Sequence, residues 1–184
     1  MSLTIKDLDF RFENSLAKIV ANRNQAEIKL AGLAVGPFEE GNEYEIHYWI
    51  AKKLVEAGIV HFREDFCLSA SDIYKAQWKE RVQVAGQIAE LQEDFYPKLR
   101  RYIAQLKKEV LKQPEKMQEY EKAKQLGRDI SNSRLKKIVA LSSGPSQADQ
   151  VVKKMTAEER LVYEKLAKIV DEWRNNIQEY EVKT

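Results

Sequence analysis

Residues 95–141 read FYPKLRRYIAQLKKEVLKQPEKMQEYEKAKQLGRDISNSRLKKIVAL, and their apolar spacing sets the class of fold open to the chain. At about 100° per residue, Leu99, Tyr102, Ile103, Leu106 and Val110 share one side of a helix. Arg100, Arg101, Lys107, Lys108 and Lys112 lie outside that arc, so one face is apolar and the other basic. Pro97 removes a backbone donor and crowds Tyr96, which predicts a kink or break there. Pro114 ends the helix and suits the first turn of the next, whose apolar side is Tyr120, Ala123, Leu126, Ile130, Ile138 and Leu141.

Working outward, Ser142-Ser143-Gly144-Pro145-Ser146 interrupts the period. Thr156-Ala157-Glu158-Glu159 then spells a capping box, in which the Thr hydroxyl and the Glu159 carboxylate satisfy each other's backbone amides. The helix it starts gathers Val162, Leu166, Ile169, Val170, Trp173, Ile177 and Tyr180 on one side, opposite Glu164, Lys168 and Asp171. Upstream, Ser69 or Ser71 caps a helix with Asp72 in its first turn, expected to run through Trp78, Val82, Ala85, Ile88 and Leu91. Residues 69–184 therefore predict a bundle of helices.

Residues 1–68 differ. Five of the chain's eleven Gly and Pro fall before residue 59, and short apolar runs alternate with turns. Glu27 to Leu30 precedes Ala31-Gly32, Gly36-Pro37 follows Val35, and Gly41-Asn42 precedes Tyr44 to Ile46. Tyr48 to Ala57 reads as a helix closed by Gly58, followed by the strand Ile59-Val60-His61-Phe62. The expected fold is mainly α, with a small N-terminal α/β domain (1–68) before a C-terminal helical bundle (69–184).

Composition narrows the function. The 184 residues carry 31 Lys and Arg against 29 Asp and Glu, so no overall field announces a nucleic-acid binder. A single cysteine, Cys67, excludes an internal disulfide framework and a paired-cysteine zinc site, and suits a reducing compartment. Cys67 between Phe66 and Leu68 reads as a small buried hydrophobe. No stretch approaches 18 apolar residues, and Lys6, Asp7 and Asp9 stand where a signal peptide needs an apolar run, so the expectation is a soluble intracellular protein away from membranes.

Phosphate-binding Gly-rich loops, the His-Glu-x-x-His helix and the Gly-x-Ser-x-Gly elbow are absent from the sequence. His47 and His61 are its two histidines, and neither has ligand spacing to Cys67 or a carboxylate, nor a catalytic partner in reach of spacing. The expectation is a non-enzyme with no metal and no cofactor.

Two features resist the ordinary helix pattern. Residues 97–140 hold 13 Lys and Arg against 5 Asp and Glu, a local surplus of eight. Such a surplus serves either a phosphate-binding surface, with Arg100, Arg101, Lys107 and Lys108 as candidate nucleic-acid contacts, or the solvated outer face of a helical hairpin, its commoner origin. Arg134 falls inside the apolar arc with Ile130 and Ile138, near Gly127. A buried cation needs a partner, so Gly127 should let another helix approach while Arg134 meets a carboxylate or carbonyls.

Gly36-Pro37-Phe38, Gly41 and the run Tyr44-Glu45-Ile46-His47-Tyr48-Trp49-Ile50-Ala51-Lys52-Lys53-Leu54 resemble the small domain of GINS subunits. There a Gly-Pro-Phe turn leads to a strand and a helix of the form Pro-Leu-Trp-Leu-Ala; Trp49 and Ala51 match, and His47 stands in place of the Pro. Phe95-Tyr96-Pro97-Lys98-Leu99, Asp129-Ile130, Arg134, Lys137-Ile138 and the Thr156 helix resemble the helical half. The resemblance implies a B-like domain followed by an A-like one, the order of one archaeal subunit type and its eukaryotic relatives; short loops and compact length suit an archaeal source.

It also implies a non-catalytic subunit of a tetramer that joins the MCM helicase and a RecJ-like partner at the replication fork. Such a protein works in the cytoplasm at the nucleoid, or in the nucleus if eukaryotic. On this reading the helical half holds the tetramer and the small domain is a movable docking piece. The greasy helix faces, with recurrent Tyr and Trp, agree with an interface role. Subunit contacts are expected among Leu99, Ile103, Leu106, Val162, Leu166, Ile169 and Trp173, and Trp49 is expected to anchor the small domain's core. The rival function is a nucleic-acid-binding adaptor using the basic 97–140 segment, with the small domain as a winged-helix-like reader.

Overall fold

The computed structural model describes residues 3–30, 32–83, 87–144 and 149–178. Two compact units divide between Leu68 and Ser69. The first contains α1 (Ile5–Glu13), β1 (Leu16–Ala21), β2 (Ile28–Leu30), β3 (Leu33–Val35), β4 (Glu43–His47), α2 (Tyr48–Glu56) and β5 (Val60–Phe62). β1 runs antiparallel between β4 and β5, with Ile19 opposite Tyr44 on one side and Phe62 on the other, while β2 and β3 form a separate hairpin. The helix α1 and strand β1 had no distinct sequence signal.

Strict alternation along β1 buries Ala17, Ile19 and Ala21. They pack with Phe12, Phe38, Tyr48, Ala51, Leu54 and Val60, and Phe12, Tyr48, Phe62 and Phe66 stack beside them. The Gly36-Pro37 peptide is cis. Gly36 sits at φ +96°, where a Cβ would also stand 3.2 Å from the Phe38 ring. That turn seats Phe38, 1% exposed, edge-on to Tyr44, with paired backbone hydrogen bonds to Gln25.

Two expectations for this unit are corrected. Trp49 does not anchor the core; it is 39% exposed, while Tyr48, Ile50, Ala51 and Leu54 are buried. At about 100° per residue Trp49 projects on the side away from that buried arc. Cys67 is exposed rather than buried. Its amide bonds the Glu64 carbonyl in a turn, and Leu68 beside it takes the buried position.

The second unit contains α3 (Ala70–Val82), α4 (Phe95–Val110), a 3-10 turn (Pro114–Lys116), α5 (Met117–Ser142), α6 (Asp149–Val152) and α7 (Ala157–Gln178). The long α5 is the axis against which α3, α4 and α7 pack, burying Ala123, Leu126, Ile130, Ile138 and Leu141. Pro97 is the third residue of α4, where no intrahelical donor is required, so it opens that helix instead of kinking it. Pro114 starts the turn into α5 as its chemistry predicts. Pro145 and Ser146 lie outside the described residues.

The helix expected through Leu91 is shorter. α3 stops at Val82, Gln83 is extended, and Ile88, Ala89 and Leu91 lie in irregular chain; Ala85 lies outside the described residues. Buried Ala89 has its backbone satisfied by side chains instead of a helical ladder: its amide donates to Glu80 at 3.4 Å and its carbonyl accepts from Arg134 at 2.7 Å. The inward face of α3 is set by its packing on α5. Ile73, Ala76 and Glu80 are buried, and Trp78 and Val82 are exposed.

Candidate subunit interface

Arg134 is completely buried and tied to three segments. Its Nε and Nη2 clasp the two carboxylate oxygens of Glu159, the latter at 2.6 Å; its Nη1 reaches Glu80 Oε2 at 3.0 Å and the Ala89 carbonyl. Lys137, one turn along α5, holds the other Glu80 oxygen at 2.6 Å. Tyr96 donates its hydroxyl to Glu159 Oε1 at 2.7 Å. Glu159 also completes the capping box, accepting from the Thr156 amide at 3.0 Å while the Thr156 hydroxyl accepts from the Glu159 amide.

One guanidinium therefore fixes α3, the 88–89 segment, α5 and the first turn of α7 together. Burial opposes the Arg134 charge, but the Glu159 hydrogen bonds and the nearby acidic groups outweigh it and hold its pKa above the ordinary arginine value. Burial, and then the Glu159 charge, push the Tyr96 hydroxyl far above the usual tyrosine range. Gly127 brings the helices close at the other end: a Cβ there would stand 3.2 Å from Leu99 Cδ2 and 3.6 Å from Ile103 Cδ1.

This clamp seats the base of α7, and farther along Arg174 donates to the Ser143 carbonyl at the end of α5. Glu158 and Glu159 are its buried residues among those described, and Glu158 faces Arg100 at 3.7 Å. Val162 and Leu166, half-buried, pack beside Ile88, Ile138, Leu141 and Met155. Farther along, Ile169, Trp173 and Ile177 are 60%, 63% and 64% exposed. Their i, i+4, i+8 spacing makes one continuous apolar row that the described residues of the unit leave open. Tyr180 lies outside the described residues.

The interface set read from the sequence thus splits. Leu99 and Leu106 are core of this chain, because α4 turns them onto α5, and they are withdrawn as subunit contacts. Ile103 is half-buried against Gly127. Ile169 and Trp173 stand open, and Ile177 joins them. A second exposed row, Tyr74, Trp78 and Val82 at i, i+4, i+8 on α3, lies outside the interface set expected from the sequence, although Trp78 and Val82 were expected on that helix.

The basic segment is less available than its count. Lys98, Arg100, Lys116, Lys124, Arg134 and Lys137 pair with carboxylates of the chain, and Arg101 donates to the Pro97 carbonyl at 3.1 Å. Lys107 and Lys108 are exposed. His47 Nδ1 lies 2.7 Å from the Asn14 carbonyl and His61 Nδ1 2.5 Å from Asn22 Oδ1. Among the described residues no group of three His, Cys, Asp or Glu is placed to hold a metal, and no helix is long and apolar enough to cross a membrane.

The family model of the GINS complex protein helical bundle domain matches residues 67–178. The chain belongs to the GINS family. It is a subunit of the GINS complex of DNA replication, a family of non-catalytic structural subunits, and its helical unit is the bundle domain that defines them. No curated protein matches the chain. Other GINS subunits are accordingly its partners.

Proposed function

We propose that this subunit enters a GINS hetero-tetramer through the outer row of α7, and that the assembled tetramer tethers the MCM helicase to a RecJ-like partner at the fork. The observation that carries this reading is the row Ile169, Trp173 and Ile177, more than half exposed on a helix whose base is clamped by Arg134. A rigidly seated helix that offers an aromatic anchor between two aliphatic residues has the make-up of an interface hot spot. The chain contributes binding energy and geometry rather than a reacting group. The small unit is the piece read as docking to replication partners.

Co-expression with sister GINS subunits, followed by mass measurement in solution, tests this reading. Burying each of these side chains is worth about 1.5–3 kcal/mol, so Ile169→Asp with Trp173→Asp should weaken assembly at least about a hundredfold. The melting curve of the free chain should barely move, because neither residue is buried in it. A double variant that still assembles with wild-type affinity refutes the assignment.

A further inference from the structure

We propose that the outer face of α3 is a docking site for an acidic amphipathic helix of a protein partner. Tyr74, Trp78 and Val82 are 38%, 65% and 56% exposed, on the side of α3 opposite Ile73, Ala76 and Glu80. The row spans about 12 Å at 1.5 Å per residue, the length over which a partner helix presents two turns of apolar side chains. An open groove of about 690 Å³ follows it, lined by Tyr74, Lys75, Gln77, Trp78, Arg81 and Val82.

Charge selects the occupant. On the helical wheel exposed Lys75 and Lys79 flank the row on one edge and Arg81 on the other, and Lys122 of α5 stands 5.0 Å over the Tyr74 ring. Among the described residues the nearby acidic groups offset them only in part. Glu80 is buried under Arg134 and Lys137, and Asp72 is engaged by the Ser69 cap, 3.9 Å from Lys75. Asp129 shares a neighbouring cleft with Arg81, on that one edge. An apolar row with basic edges complements a helix whose apolar ridge has acidic edges.

A nucleic-acid strand fits less well, since strand binding wants successive open rings. Here Lys122 occupies one face of Tyr74, and Val82 has no ring to stack on. A second copy fits less well too, because the free row of α7 is flanked by Lys165, Glu172 and Arg174, which bring both signs.

The test displays helical peptides of about 16 residues with an apolar i, i+4, i+8 ridge and flanks randomised among Asp, Glu, Lys, Arg and Gln. They are selected on the full chain and again on the assembled GINS complex. The expected result is enrichment of acidic flanks on both baits. The best synthetic peptide should lose at least about tenfold in affinity on Trp78→Ala and on Lys75→Glu with Arg81→Glu, and keep its affinity on Ile169→Asp with Trp173→Asp. That last arm separates this site from the α7 row.

Any of several outcomes overturns the proposal: no enrichment, neutral or basic flanks, indifference to Trp78→Ala, or loss of binding in the assembled complex, which would make the face a subunit contact. Displacement of the peptide by oligothymidine, or self-association abolished by Trp78→Ala, would assign the face to a nucleic-acid strand or to a second copy instead.

Discussion

Replacing Arg134 by Met removes the charge while keeping most of the side-chain volume. It leaves Glu80 and Glu159, 3% and 4% exposed, without the guanidinium that holds them. Glu80 retains Lys137, and Glu159 retains the Thr156 amide and the Tyr96 hydroxyl, so neither carboxylate is stripped bare. The Ala89 carbonyl loses its 2.7 Å donor as well. Breaking a buried pair from one side costs about 3–5 kcal/mol, and the retained partners place Arg134→Met near 3.

Neutralising the two orphaned carboxylates should return part of that loss, because uncompensated buried charge is what makes the single change costly. The triple variant Arg134→Met, Glu80→Gln, Glu159→Gln should therefore be more stable than Arg134→Met by about 1–2 kcal/mol. Urea unfolding followed by helical circular dichroism, with the slope checked for constancy, reads both values. If Arg134→Met costs less than about 1 kcal/mol, or if the triple variant is less stable than the single one, the ionic account of the clamp is wrong.

Tyr96 should make stability fall in alkali. Its folded pKa is raised by burial and by Glu159, above the unfolded value of about 10. Its contribution is thus fully present below about pH 10 and is lost as the pH climbs from there towards the folded value. Stability curves between about pH 9 and 12 should be shallower for Tyr96→Phe than for the wild type, and identical curves would refute this. Tyr102, pushed up to about 12 by partial burial and its hydrogen bond to Glu119, should also ionise late when followed by absorbance. At Gly127, Ala gains about 1 kcal/mol of helix propensity but crowds buried Leu99 at 3.2 Å, so thermal melting should change little. Val there should cost about 2–3 kcal/mol through overpacking.

The periodicity of residues 95–141 and the Thr156 capping box were enough for the bundle, because helix phase and cap chemistry are local properties of the chain. Gly36, Gly41 and Gly58 marked real turns for the same reason: each adopts a positive φ that few other residues tolerate. The anomaly of Arg134 was legible too, since a cation in an apolar arc demands a partner. Which partners answered was not legible. Glu80 lies 54 residues away and Glu159 lies 25 away, and only packing brings them to one guanidinium.

The same limit explains the errors. An apolar stripe shows that a face avoids water, not whether its own chain or another chain covers it. Leu99 and Leu106 went to the core of this subunit, while Ile169 and Trp173 stayed open at the far end of α7. Trp78 and Trp49 point outward because neighbours elsewhere had already claimed the inner faces of their helices. The end of α3 at Val82 is likewise a tertiary outcome, since the Ala89 backbone finds Glu80 and Arg134, groups no local pattern could supply. Local covalent preferences fixed helices, caps and turns; the competition of distant side chains for one interior settled what was buried and what was left for partners.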